Sequence, residues 1–247
     1  MEHAAAHGGT SGKRRATLYV VATPIGNLAD LGRRALETLR GVDAVAAEDT
    51  RVTRRLLAHY GIAKRLIAVH EHNEKRAVGS ILTLLRDGRS VALTCDAGTP
   101  AISDPGALLV AAARAAGFLV TPVPGPNAAI AALSASGFAA SHHLFYGFLP
   151  ERAAARRRAL AGLAALPFTL VFYEAPHRVE ECVSDLRAML GEKRRIVLAR
   201  ELTKLFESVH ACTLAEAADW LAADPVRLKG EFVLIVEGAA GAPAAND

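Results

Sequence analysis

Between Thr17 and Ser136 the chain repeats one pattern five times: a short apolar run, then an amphipathic stretch, then a turn residue. Few folds accept that pattern. The runs Thr17–Thr23, Val42–Ala47, Leu66–Val69, Ser90–Cys95 and Phe118–Val123 read as buried strands. The stretches Leu28–Arg40, Thr50–Tyr60, Glu74–Arg86, Asp104–Ala116 and Asn127–Ser136 have helical spacing, and most stop at a glycine. Strand–helix units in series demand right-handed crossovers, hence a parallel five-stranded sheet covered on both faces.

The texture changes after Gly137. His143–Phe148, Phe168–Tyr173, Ile196–Ala199 and Glu231–Val236 read as strands, with a further short strand near Glu207–His210. Arg152–Leu166, His177–Leu190 and Leu214–Ala222 read as helices. Their order predicts a second α/β domain with a mixed sheet. The expected organisation is a flexible arm at 1–16, one α/β domain at 17–137, a second at 138–239, and a flexible tail at 240–247. The arm lacks a signal peptide's apolar stretch, and no apolar run of 18 residues exists.

Composition narrows the class. Hydrophobic residues make up 51% and charged residues 22%, so the bulk of the chain is expected to be globular. The net charge of +4 permits an anionic partner. Cys95, Cys182 and Cys212 are odd in number and widely spaced, which excludes a disulfide framework and fits a reducing, cytoplasmic compartment. His70-Glu71-His72 lacks a third ligand, so no metal site is expected.

The chemistry-bearing residues cluster at strand ends, where open α/β sheets place ligands. Thr23-Pro24-Ile25-Gly26-Asn27 follows the first strand. Asp96-Ala97-Gly98-Thr99-Pro100-Ala101-Ile102-Ser103-Asp104-Pro105-Gly106 follows the fourth, a preorganised loop whose Asp96 can reach ribose hydroxyls. In that loop Asp104-Pro105 reads as a helix cap followed by a first-turn proline. Val123-Pro124-Gly125-Pro126-Asn127-Ala128 follows the fifth strand. Neither a dinucleotide fingerprint nor a phosphate-binding P-loop is present. In the second half, Tyr173-Glu174-Ala175-Pro176-His177-Arg178 and Arg200-Glu201-Leu202-Thr203-Lys204 again end strands. Arg152, Arg156, Arg157 and Arg158 lie just beyond Phe145-Tyr146-Gly147-Phe148. Arginines beside aromatics suit RNA, through phosphate contacts and base stacking.

Eight segments in this order resemble one family: VVATPIGNLAD, AEDTR, CDAGTPAISDPG, VPGPNA, FYGFLP, FYEAPHRV, ARELTKLFE and GEFVLIVEG. Together they resemble the ribosomal RNA small subunit methyltransferase I family of the tetrapyrrole methylase superfamily, over about Leu18 to Gly238. The resemblance implies two α/β domains with a cofactor cleft between them, a homodimer, and S-adenosylmethionine as methyl donor. It implies 16S rRNA of the small ribosomal subunit as substrate, methylated on a cytidine 2′-hydroxyl in the decoding region. It also implies donor contacts from Asp96, Ala97, Gly98, Thr99, Ile102, Asn127, Ala128 and Tyr173. A ribose hydroxyl needs a base or a polarising cation. The expected catalytic groups are Glu174, Glu201 and Lys204, with Asp49 a further base candidate. Arg51, Arg156, Arg157 and Arg178 are the expected substrate contacts.

Overall fold

The computed structural model describes residues 15–70, 73–138 and 142–239. Residues 1–14 of the expected arm, the expected tail at 240–247, and Glu71 and His72 lie outside them. The described residues form two compact units. The first comprises those up to Val21, Gly32–Asp96 and Pro100–Pro124; the second comprises Ala22–Leu31, Ala97–Thr99 and Gly125 onwards.

The first unit holds β1 (Thr17–Val21), β2 (Ala44–Ala47), β3 (Arg65–Ala68), β4 (Val91–Thr94) and β5 (Leu119–Val123). They lie in the order β3-β2-β4-β1-β5, and every pair is parallel, as the five repeats predict. β2 and β4 are buried at every position, the mark of interior strands covered on both faces. The helices are α1 (Arg33–Gly41), α2 (Thr50–His59), α3 (Glu74–Arg86) and α4 (Ala107–Ala115). Leu18, Ile81, Leu85, Leu93 and Leu109 anchor the core.

Two local expectations are corrected. The helix expected over Leu28–Arg40 is divided into a 3-10 turn at Leu28–Asp30, capped by Asn27, and α1, which starts after Gly32. Asp104 does not cap α4. Ser103 takes a left-handed φ of 62° and Gly106 a φ of 129°, so the helix begins three residues later. Its free amides are met from α3: Oε1 of buried Glu74 accepts from Gly106 N (3.1 Å), Leu108 N (3.1 Å) and Leu109 N (3.3 Å). A carboxylate there satisfies orphan donors and opposes the helix dipole.

The second unit holds β6 (His143–Phe148), β7 (Thr169–Glu174), β8 (Arg195–Arg200), β9 (Ser208–Thr213) and β10 (Phe232–Val236), ordered β6-β7-β10-β8-β9. Only β6 and β7 pair in parallel, which makes the sheet mixed as expected. α6 (Ala153–Leu163), α7 (Val179–Leu190) and α8 (Leu214–Ala222) share a core with Leu170, Phe172, Leu198 and Leu234. α5 (Ala128–Ser134) packs Ala129 and Ala132 against Val171, Val197 and Ile235. A boundary drawn at 137/138 therefore falls inside this unit, because α5 buries its small face on the second sheet. Among the described residues no helix is long and apolar enough to cross a membrane.

Candidate active site

Within the second unit three Gly- and Pro-rich loops are tied together. Thr23 N donates to Gly98 O (2.8 Å) and Gly98 N donates back to Thr23 O (3.1 Å). Thr99 Oγ1 donates to Pro126 O (3.1 Å), while Asn127 Oδ1 accepts from Ile130 N (3.1 Å) and caps α5. Gly98 has a φ of 85°, and a Cβ on Gly125 would meet that of Ala22 at 3.0 Å. Small residues are thus required for the loops to touch. The Tyr173 hydroxyl accepts from Ala129 N (3.3 Å), and its ring meets Phe145 and Phe148 edge-on at 5.0 and 5.6 Å. Hydrogen bonds thus tie Gly98, Thr99, Asn127 and Tyr173 into these loops and the start of α5, where Ala128 is the first helical residue.

In the first unit the strand ends gather carboxylates. Asp96 Oδ1 accepts from Asp49 N (3.0 Å), and Asp96 N donates to Glu48 Oε2 (3.3 Å). Burial, with repulsion from the neighbouring acids, pushes Glu48 and Asp96 above their ordinary carboxylate values. Asp104 is pushed up to about 6, by burial first and by Glu48 second, although a Cys95 hydrogen bond opposes the rise. A carboxyl tuned toward neutral pH is a mark of functional sites. Reading Asp104 as a cap missed this, because its neighbours Glu48 and Asp96 lie far away in sequence. Asp49 differs: Arg51 grips it through Nε (3.1 Å) and Nη2 (2.6 Å) and lowers it to about 2. That makes Asp49 a poor base. Ile102 stands exposed between Ala101 and Ser103, both left-handed with φ of 64° and 62°.

The loop after β8 carries two further left-handed non-glycine residues, Glu201 (φ 51°) and Thr203 (φ 67°). Strain of about 1–3 kcal/mol per such residue persists only where the surroundings impose it. Here the surroundings are visible. Lys204 Nζ donates to Glu201 Oε1 (2.8 Å) and Glu231 Oε2 (3.0 Å), and Glu231 N donates to Glu201 Oε1 (2.9 Å). Buried Arg200 straps the loop by donating to Phe206 O, Val226 O and Lys229 O. A Cβ on Gly26 would lie 2.4 Å from Lys204 Cγ. Burial alone would lower the Lys204 pKa, but its hydrogen bonds to Glu201 and Glu231 outweigh that and raise it. Glu201 is lowered, since Lys204 outweighs burial there. The loop therefore presents a fixed cation with its counter-ion. Gly26, Arg200 and Glu231 stand in the segments VVATPIGNLAD, ARELTKLFE and GEFVLIVEG, but nothing local in those segments signals that they meet around this loop.

Three expected site residues are corrected by their surroundings. The Glu174 side chain is wholly enclosed: Oε1 accepts from Ala175 N (2.9 Å) and pairs with Arg178 Nε (3.1 Å). It cannot serve as an exposed base. Arg178 is mostly buried and donates to Leu149 O (2.6 Å), so its charge faces the protein. Arg156 is 1% exposed. Its Nε donates to Asp185 Oδ2 (2.6 Å) and its Nη1 to Glu151 O (3.0 Å), which fastens α6 to α7 rather than to RNA. Arg157 is exposed but also bonds Asp185 (2.6 Å). Among the described residues no group of His, Cys, Asp and Glu is placed to hold a metal ion.

Residues 17–218 match the family model described as Tetrapyrrole (Corrin/Porphyrin) Methylases. Solved structures share the fold: cobalt precorrin-4 methyltransferase CbiF has a TM-score of 0.67 at 19% identity, covering 92% of this chain and 98% of that one. Uroporphyrin-III C-methyltransferase from Thermus thermophilus, complexed with S-adenosylhomocysteine, has a TM-score of 0.62 at 17% identity, covering 90% and 97%. The architecture is that of a tetrapyrrole-methylase-type methyltransferase. Relatives named ribosomal RNA small subunit methyltransferase I come much nearer. The one from Xylella fastidiosa strain Temecula1 is 57% identical over 93% of this chain and 84% of its own length. That from Escherichia coli O157:H7 is 52% identical over 90% and 77%, and that from Pseudomonas aeruginosa is 53% identical over 90% and 79%. The chain belongs to the ribosomal RNA small subunit methyltransferase I family.

Proposed function

We propose that this chain transfers a methyl group from S-adenosylmethionine to the 2′-hydroxyl of a cytidine in the decoding region of 16S rRNA, acting in the cytoplasm as a homodimer. The observation that carries the reading is the 57% identity, over 93% of the chain, to a relative named for small-subunit rRNA methylation. The loops fit such a donor. Ala97, Gly98 and Ala128 let a flat ligand approach the backbone, Asp96 offers carboxylate oxygens to ribose hydroxyls, and Thr99, Ile102, Asn127 and Tyr173 complete the contacts.

When bound, the donor supplies a methyl group on a positively charged sulfur. The residues must hold the acceptor oxygen in line with it. They must also manage the hydroxyl proton. Glu174 is enclosed and Asp49 is clamped by Arg51; Lys204 is the cation that steadies the developing oxyanion, and Glu201, lowered by that same lysine, acts as the counter-ion that holds it in place.

The test is methyl transfer from labelled donor to small subunits purified from cells lacking this protein, followed by mass mapping of the ribose. Lys204→Ala is expected to lower turnover about 10²–10³-fold. Label on a base, on another nucleotide, or on a tetrapyrrole precursor would overturn the substrate assignment. Normal turnover in both Lys204→Ala and Glu201→Gln would overturn the residue assignment.

A further inference from the structure

The charge of the molecule is unevenly divided. Residues 15–21, 32–96 and 100–124 hold fourteen Arg and Lys against nine Asp and Glu. Residues 22–31, 97–99 and 125–247 hold thirteen against fifteen. The basic surplus thus sits in the first unit, which holds Arg51 of the expected substrate contacts but not Arg156, Arg157 or Arg178. Four of the nine acids there, Glu48, Asp49, Asp96 and Asp104, are drawn together at the strand ends.

α2 concentrates the surplus. Its ten residues, TRVTRRLLAH, include three arginines and no acid. Thr53, Leu56 and Leu57 are buried on one side, while Arg51, Arg54, Arg55, Ala58 and His59 are exposed on the other. Arg51 is held by Asp49, but Arg54 and Arg55 make no ion pair among the described residues. A merely solvated helix face mixes signs. This one carries no acid to pair with Arg54 or Arg55. Arginine is also the residue suited to two-pronged phosphate contacts.

We propose that the exposed face of α2, through Arg54 and Arg55, is a docking strip for the phosphodiester backbone of the RNA substrate; this rests on the reading of the chain as an rRNA methyltransferase. The helix starts beside the donor loop, since Asp49 N donates to Asp96. It runs about 15 Å, the length of roughly four phosphates along one strand of a duplex. Phosphates laid along it position a nearby ribose relative to Asp96.

The test compares binding of transcribed 16S rRNA and of purified small subunits at increasing KCl. Arg54→Ala/Arg55→Ala should weaken both about tenfold and reduce the salt slope by about 1.5. Arg54→Lys/Arg55→Lys should restore most of the slope, and calorimetry with S-adenosylhomocysteine should give wild-type affinity in both. Arg152→Ala/Arg158→Ala, just before and within α6, should keep a slope near wild type. A wild-type slope in Arg54→Ala/Arg55→Ala overturns the proposal while leaving methylation intact. Loss confined to small subunits, with naked RNA unaffected, overturns it in favour of a protein contact. If the wild-type chain binds no RNA and methylates none, the functional reading fails along with it.

Discussion

Two helices carry nearly the same sequence signature and use it oppositely. α6 reads AAARRRALAGL and α2 reads TRVTRRLLAH, each with a run of arginines among apolar residues. In α6 the register turns Arg156 inward, where Asp185 meets it. Burial would depress the Arg156 charge, but Asp185 more than compensates and raises its pKa. In α2 the register turns every arginine outward, and the helix supplies no acid of its own. An arginine run is therefore a fastener or a docking surface according to which side of the helix is already taken by apolar residues.

The comparison is broken or sharpened first by stability. Arg156→Ala leaves Asp185 buried with only Arg157 for company, and unfolding by urea should show a loss of about 3–5 kcal/mol. Arg55→Ala should change stability by no more than about 0.5 kcal/mol. Equal losses would erase the distinction between the two helices.

Glu74 offers a second, smaller contrast, because it is a buried carboxyl group that forms no ion pair among the described residues yet is held by three amides. Glu74→Ala should lower stability by about 2–3 kcal/mol, through loss of charge-assisted hydrogen bonds at the start of α4. An unchanged urea midpoint would mean the amides find water instead.

The smallest effect concerns Asp104. Its pKa in the fold, about 6, lies above its ordinary 3.8. The folded state therefore holds that proton more tightly than the unfolded chain does. Its contribution is fully present below about pH 4 and is lost as pH rises through about 6. Thermal scans should show Asp104→Asn gaining on wild type between pH 4 and 7, the opposite of what an ion-paired carboxylate would give. A constant gap across that range would remove Asp104 from the acidic cluster.

Much of the fold was legible because it rests on local pattern. Buried runs such as VALT and AVAA read directly as covered strands, and glycines after helices marked their ends. The strand-end loops were legible too, since Gly98, Pro100, Gly125, Pro126 and Asn127 favour turns by their own chemistry. The fates of the charged side chains were not. Arg156 and Asp185 lie 29 residues apart, Glu74 and Gly106 lie 32 apart, and Gly26 meets Lys204 across a still longer separation.

The sequence by itself determined the two α/β halves, their sheet types and the strand-end position of the Gly- and Pro-rich loops, because those follow from period, turn chemistry and chain order. Only the tertiary structure decided which carboxylates face a cation, which face each other, and which arginines face water. A charge's role depends on neighbours brought within a few ångströms by packing, and no local pattern records who those neighbours are.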